Sequence, residues 1–282
     1  MLEARVAGSA TDPIRAGGVT VACGERRFGR FQAFVFNMDG VVTDTARLHV
    51  AAWKAMFDLY LPQLCEGAGV RCVPFDPVED YRRYMDGRLR HEAAARFLAE
   101  RGISIPYGSV GDPPGVATVC GLANDKHERV VAALQLHGVD VYPATADLVT
   151  RLRGRSVGLA VVSSSRHADA ILEAAGLRDA FDVVIGAVQM ERLGLPGKPD
   201  PSAFLEAARR LGVSPSHGVV VEDAVVGVEA ARAAGFGLVV GLSRSGAATV
   251  RAQLAAAADL VVSELNELEV TDPVPCCTEQ IG

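Results

Sequence analysis

Six short apolar runs constrain this chain more than any other feature: FQAFVF (31–36), VGLAVVSSS (157–165), FDVVIGA (181–187), GVVVEDA (218–224), FGLVVGL (236–242) and ADLVVSEL (258–265). Their Val, Leu and Ile residues run on without in-out alternation. Such runs belong to strands covered on both faces, and the helical stretches between them supply the covers. The pattern predicts an α/β fold, a doubly wound parallel sheet with helices on both sides. Ligands of such sheets bind beyond the carboxyl ends of the strands, so the residues that follow each run are the first candidates for function.

The rhythm breaks between residues 46 and 137. ARLHVAAWKAMFDLYL, RRYMDGRLRHEAAARFLAERG and DKHERVVAALQLHG read as helices, with a Pro/Gly-rich loop IPYGSVGDPPGVA and no strongly buried strand. A helical second domain inserted after the first strand of the sheet accounts for this. Joined by two crossings, it can hinge over a site and exclude water. Trp53, in the first of these helices, reads as a packing residue. The expected division is an N-terminal extension over 1–30, ordered in part, a core domain over 31–45 and 138–270, the helical cap over 46–137, and a C-terminal tail over 271–282. Nothing near Cys276 and Cys277 in that tail would lower a thiol pKa, so the pair is given no chemistry.

With 282 residues, 49% of them hydrophobic, the chain can bury a sizeable core. A net charge of −6 argues against a nucleic-acid surface and for small polar substrates. The six cysteines show neither CxxC spacing nor the pattern of a secreted disulfide scaffold. The apolar runs are of strand length, so no membrane span or signal peptide is expected. The expectation is a cytoplasmic protein, a monomer or small homo-oligomer.

The strand ends carry polar groups in a chemical order. Asn37, Asp39, Thr43, Asp44 and Thr45 follow the first run; Ser163, Ser164 and Ser165 follow the second. Lys198 lies in GKPDP, and Glu222 and Asp223 close the GVVVED run. Singly, each reads as a turn, a helix cap or a solvated side chain. Jointly they are the parts of metal-assisted phosphoryl transfer. Carboxylates hold Mg²⁺, while a lysine and a serine hydroxyl face the equatorial oxygens of the moving group.

FNMDGVVTDT, VVSSS, GKPDP and VVVEDAVVGVEAARAAGF resemble the four signature motifs of the haloacid dehalogenase (HAD) superfamily. The early helical insert and TDTARLHVAAWKAMF resemble its β-phosphoglucomutase-like branch, over roughly residues 33–270. The resemblance implies a Mg²⁺-dependent phosphotransferase acting on a sugar phosphate, such as one interconverting β-glucose 1-phosphate and glucose 6-phosphate. It implies that position 37 is the nucleophile, Asp39 the general acid/base, and Ser163 and Lys198 the phosphate binders. The metal would lie among position 37, Asp39, Glu222 and Asp223. Thr45, Ser164 and Ser165 would border the substrate, as would Arg90 and Lys126, which match cations of the cap. His49 matches a residue that couples cap closure to catalysis. A phosphatase acting on a sugar or cyclitol phosphate is the alternative activity.

Two departures stand out. The segment around Arg90 reads GRLRH where the mutases have a GVSR type. The second is Asn37, where the family has its nucleophilic aspartate: an amide carries no charge and is a poor nucleophile toward phosphorus. Three explanations remain open at this point: an inactivating Asp-to-Asn replacement in an otherwise intact enzyme, a noncatalytic sugar-phosphate binder, or altered chemistry.

Overall fold

The computed structural model describes residues 18–272; residues 1–17 and 273–282, with Cys276 and Cys277, lie outside the described residues. The strands are β1 (Val19–Cys23), β2 (Arg26–Phe31), β3 (Ala33–Phe36), β4 (Gly158–Val162), β5 (Val183–Ile185), β6 (Gly218–Glu222), β7 (Leu238–Leu242), β8 (Leu260–Val262) and β9 (Glu269–Thr271). The helices are α1 (Ala46–Ala68), α2 (Arg90–Glu100), α3 (Val119–His137), α4 (Pro143–Arg153), α5 (Ala168–Ala174), α6 (Ala187–Leu193), α7 (Ser202–Leu211), α8 (Val225–Ala233) and α9 (Ala248–Ala257).

All six apolar runs become strands of one parallel sheet, in the order β5-β4-β3-β6-β7-β8. Successive side chains of a strand point to opposite faces. Phe34, Phe36, Val161, Val219 and Val221 therefore pack on one side with α4 and α5. Val35, Ala160, Val162, Val220 and Val239 pack on the other with α6, α7, α8 and α9. With both faces covered, neither parity of a strand can be polar, which explains the unbroken apolar runs. Burying each large side chain contributes on the order of 1.5–3 kcal/mol. Central β3 lies between β4 and β6, with Phe36 in register with Val161 and Val221. The polar residues after these three strands therefore emerge side by side.

The helical insert has an apolar cluster of its own. Trp53, Phe57, Phe75 and Phe97 form its aromatic centre, with the Phe57 and Phe97 rings 4.3 Å apart. One expected helix is broken: a π-turn spans Tyr81–Met85, and α2 begins only at Arg90. The chain turns between them because Asp86 is extended and Gly87 has φ +71°.

The reading of residues 1–30 as an extension needs correction. Residues 19–31 form the β1–β2 hairpin, and β1 also pairs antiparallel with β9. Val19, Val21 and Phe31 join the core cluster that includes Phe34 and Phe36. The sequence signal was short: VTV alternation followed by a turn at Gly24. No helix among the described residues is long and apolar enough to cross a membrane.

Candidate active site

The end of β3 sets the site. Met38 is fully buried, so alternation turns Asn37 and Asp39 the other way, into the cleft. The chain then folds back on itself, with the N–H of Gly40 donating to Thr43 O at 2.9 Å. Only glycine fits at position 40: φ is +84°, and a Cβ would lie 1.9 Å from Asp223 Oδ2. Thr45 stands at the N-cap of α1 but does not cap it. Its hydroxyl donates instead to Asp39 Oδ1, and Thr43 Oγ1 lies 2.8 Å behind it. Ser163 Oγ, at the end of β4, reaches Asp39 Oδ2 at 3.4 Å and accepts from the N–H of Ser165 at 3.1 Å.

Lys198 is 1% exposed, and each of its polar neighbours is an acceptor. Its ammonium donates to Glu222 Oε1 at 2.5 Å, Asn37 Oδ1 at 3.0 Å and Val162 O at 3.5 Å. Glu222 has its other oxygen on the N–H groups of Asp223 and Ala224, both at 3.0 Å. It thus anchors Lys198 and the turn after β6. Because an ammonium can only donate, the amide oxygen of Asn37 must face Lys198. Nδ2 then faces two acceptors, Asp39 O and Asp223 Oδ1, each at 2.9 Å.

Those two acceptors test the expected cation. A carboxylate at position 37 would put a third oxygen where Nδ2 now stands, and hard cations such as Mg²⁺ take oxygen ligands. Burial, Asp86 and Glu222 push the Asp223 carboxyl well above its ordinary range, as befits a site with too much negative charge for its lysine. Asp39 and Asp223 therefore fit the ion, whereas Asn37 presents N–H donors toward the same point. Among the described residues, no three His, Cys, Asp or Glu side chains converge as a ready cage.

The helical insert supplies the opposite wall of the cleft. Lys126 Nζ lies 3.0 Å from His49 Nδ1 and 5.0 Å from the centre of the Trp53 ring. With Lys126 as donor, His49 carries its proton on Nε2, which lies 3.4 Å from Asp39 Oδ1. Burial lowers Lys126 to about 7; burial and then Lys126 lower His49 to about 4. Arg90 donates to Asn124 Oδ1 at 2.8 Å. Burial and Arg166 bring its guanidinium down to about 10. Ser164 donates to Gly87 O at 2.7 Å, joining core and insert.

The structure thus brings Asn37, Asp39, Thr45, His49, Ser163, Lys198, Glu222 and Asp223 into one connected network. Arg90, Lys126, Ser164 and Ser165 line the cleft above it. Sequence reasoning passed over several residues of that lining, among them Asp86, Arg88, Arg166 and His167, and read Trp53 as packing alone. Arg166 and His167 directly follow the serine triplet, and Asp86 begins the DG turn before Arg90, so position alone offered a signal. His127 of α3 and His167 stack across the cleft, with Nε2 atoms 3.0 Å apart.

A parallel sheet with a helical insert, acidic and hydroxyl groups at its strand ends and a buried lysine from the loop between α6 and α7 defines a phosphoryl-transfer type of architecture. Residues 31–235 match the profile of the haloacid dehalogenase-like hydrolases, and the chain belongs to that family. It is 42% identical over 240 residues to β-phosphoglucomutase of Mycobacterium tuberculosis (strain CDC 1551 / Oshkosh), covering 85% of this chain and 92% of the relative. It is 31% identical over 210 residues to a fructose-1-phosphate phosphatase of Escherichia coli, covering 74% and 95%. Among solved structures, an Asp-to-Asn mutant of CbbY from Rhodobacter sphaeroides in complex with xylulose-1,5-bisphosphate superposes with a TM-score of 0.62 at 25% identity, covering 83% of this chain and 95% of that one.

Proposed function

We propose that this chain has the site of a Mg²⁺-dependent sugar-phosphate mutase of the β-phosphoglucomutase type, and that Asn37 keeps it from turning over. The reading takes residues 46–137 as a cap over the core. Its main support is the two-sided cleft: Asn37 and Asp39 below, with Lys198 behind Asn37 and Arg166 at the core edge, and Arg90 and Lys126 above. A mutase must hold the second phosphate of a bisphosphate in either orientation, and the upper wall offers the charges for it. A phosphatase has no such need.

With aspartate at 37, that carboxylate, the Asp39 carbonyl and Asp223 would hold Mg²⁺, which would neutralise charge on the transferring group. The carboxylate at 37 would attack phosphorus. Asp39, held by Thr45 and facing the His49 N–H, would give its proton to the leaving oxygen and take one from the incoming hydroxyl. Lys198 and Ser163 would meet the equatorial oxygens. In the present chain the amide can neither attack nor complete the ion's oxygen set.

Asn37→Asp tests this. With Mg²⁺, β-glucose 1-phosphate and a glucose bisphosphate primer, we expect glucose 6-phosphate formation to rise on the order of 10⁴- to 10⁶-fold. Stoichiometric release of inorganic phosphate instead would identify a phosphatase. No gain with any sugar phosphate would overturn both and leave a noncatalytic binder.

A further inference from the structure

Of the cysteines among the described residues, all free thiols, Cys72 alone is exposed, and the path of the chain lays it beside a buried one, Cys65. Cys65 ends the buried face of α1 and belongs to the aromatic cluster of the helical insert. There the helix stops, because Gly69 takes the left-handed conformation at φ +65°. The N–H of Gly69 donates to Glu66 O at 3.1 Å and that of Val70 to Cys65 O at 3.0 Å, which reverses the chain. The segment that follows runs back along α1: Phe75 stacks on Phe57, in the middle of that helix, with ring centres 5.3 Å apart.

Cys72 falls between these two anchors. An extended chain advances about 3.3 Å per residue, so the step from Val70 to Cys72 covers roughly 7 Å, a little over one helical turn. The carbonyl of Cys65 that holds Val70 points toward the helix end, and one turn back from there lies the Cys65 side chain. The next two residues are clamped. Arg101 donates to Val73 O and, at 3.3 Å, to Pro74 O, while Asp80 holds the same guanidinium at 2.6 Å. Burial, and then the Cys72 thiol beside it, raise the Cys65 thiol above its ordinary value. The outer thiol is open to reagents and the inner one is not. Both lie at the far end of α1 from His49, about 24 Å along the helix.

We propose that Cys65 and Cys72 form a reversible redox site, a dithiol that the native fold holds ready to close into a disulfide. The Cys72 thiolate attacks one sulfur of a small-molecule disulfide such as glutathione disulfide; a mixed disulfide forms, and one glutathione leaves as its thiolate. Cys65, once deprotonated, attacks the Cys72 sulfur and expels the second glutathione. The two protein thiols give up two protons and two electrons, and the glutathione disulfide becomes two glutathione thiols. The bond ties the end of α1 to the returning segment. In reducing surroundings the pair stays open, and a rise in disulfide closes it. Because the pair sits at the end of α1 remote from the cleft, its closure does not depend on what the cleft binds.

Trypsin cuts after Lys54, Arg71 and Arg82, so a bridge joins peptides 55–71 and 72–82, which are otherwise separate. The full chain is equilibrated in glutathione buffers of increasing disulfide content, its free thiols are blocked with iodoacetamide, and the digest is read by mass spectrometry before and after reduction. The linked pair should appear as the buffer becomes oxidising and should part on reduction. Fold and bridge support each other, so at a given buffer the ratio of bridge to dithiol should be at least about tenfold higher in the native chain than in urea. Cys65→Ala should leave Cys72 carrying glutathione, and Cys72→Ala should leave Cys65 bare. Absence of the linked pair from the unaltered chain would overturn the proposal, whether Cys72 stays free, keeps glutathione or joins another cysteine. So would equal ratios in native buffer and urea, or glutathione on Cys65 of Cys72→Ala as readily as on Cys72 of Cys65→Ala. The digests of the unaltered chain decide the matter even if a variant folds poorly.

Discussion

The core wall of the cleft and its cap wall are finished to different degrees. On the core wall, the Lys198 ammonium, both oxygens of Glu222 and both ends of the Asn37 amide have partners at hydrogen-bond distance. On the cap wall, Arg90 Nε has no hydrogen-bond partner among the described residues. There burial lowers Lys126 to about 7, while burial, Arg90 and His167 lower His127 to about 3. One wall is organised before any ligand arrives. The other draws like charges together at a cost that an anion would relieve.

The largest effect that separates the walls is on stability. Lys198→Ala leaves Glu222, 0% exposed, with an uncompensated charge, a change that typically costs about 3–5 kcal/mol. For a chain of this size the melting temperature should fall by roughly 10 °C. Arg90→Ala should leave the melt almost unchanged or raise it slightly, because it removes a charge that burial and Arg166 already disfavour. Thermal unfolding followed by circular dichroism compares the two. Similar melting temperatures for both variants would erase the distinction.

The same contrast marks what the sequence could disclose. The six apolar runs announce the parallel sheet because burial on both faces leaves a local imprint on each strand. Asp39, Ser163 and Asp223 were legible because strand ends in such a sheet share one edge, whereas Lys198, in the loop between α6 and α7, was legible only through the GKPDP motif. The direction of the Asn37 amide was not, because Lys198, 161 residues away, sets it. Asp86 was hidden for a similar reason: nothing in YMDGRLR says that Ser164 and Val226 will grip the next residue. The β1–β2 hairpin escaped because β2 exposes Arg26, Arg27 and Arg30, and because β1 finds a second partner only in β9, near the other end of the chain.

A smaller effect separates the walls by ligand. If Arg90 meets the far phosphate of a bisphosphate, Arg90→Ala in an Asn37→Asp background should raise KM for the primer about 10- to 100-fold. Phosphate release from a monophosphate should change much less. Isothermal titration with a sugar bisphosphate checks the same point without turnover. Equal losses for mono- and bisphosphates would move Arg90 from the far phosphate to a part common to both.

The smallest expected effect is a pH slope, and it reports on the cap wall together with Arg166 and His167, the core residues that face it. Burial, Arg90, His167, Lys126 and Arg166 all lower His127, which stays neutral in the folded protein down to about 3. In the unfolded chain it takes up its proton near its ordinary value of 6.5. Below that value the unfolded state binds more protons, so the contribution of His127 to stability is complete above about 6.5 and is lost as the pH falls toward 3. His127 is half-buried, so the loss is modest. Between neutral pH and about 4.5, the unaltered chain should lose roughly 2–3 °C more in melting temperature than His127→Gln. Inorganic phosphate bound in the cleft would offset the arginine and lysine charges, raise the folded-state value of His127 and flatten the extra slope. If phosphate leaves that slope intact, the charges on the cap wall are balanced by something other than an anion, and the asymmetry between the two walls has a different cause.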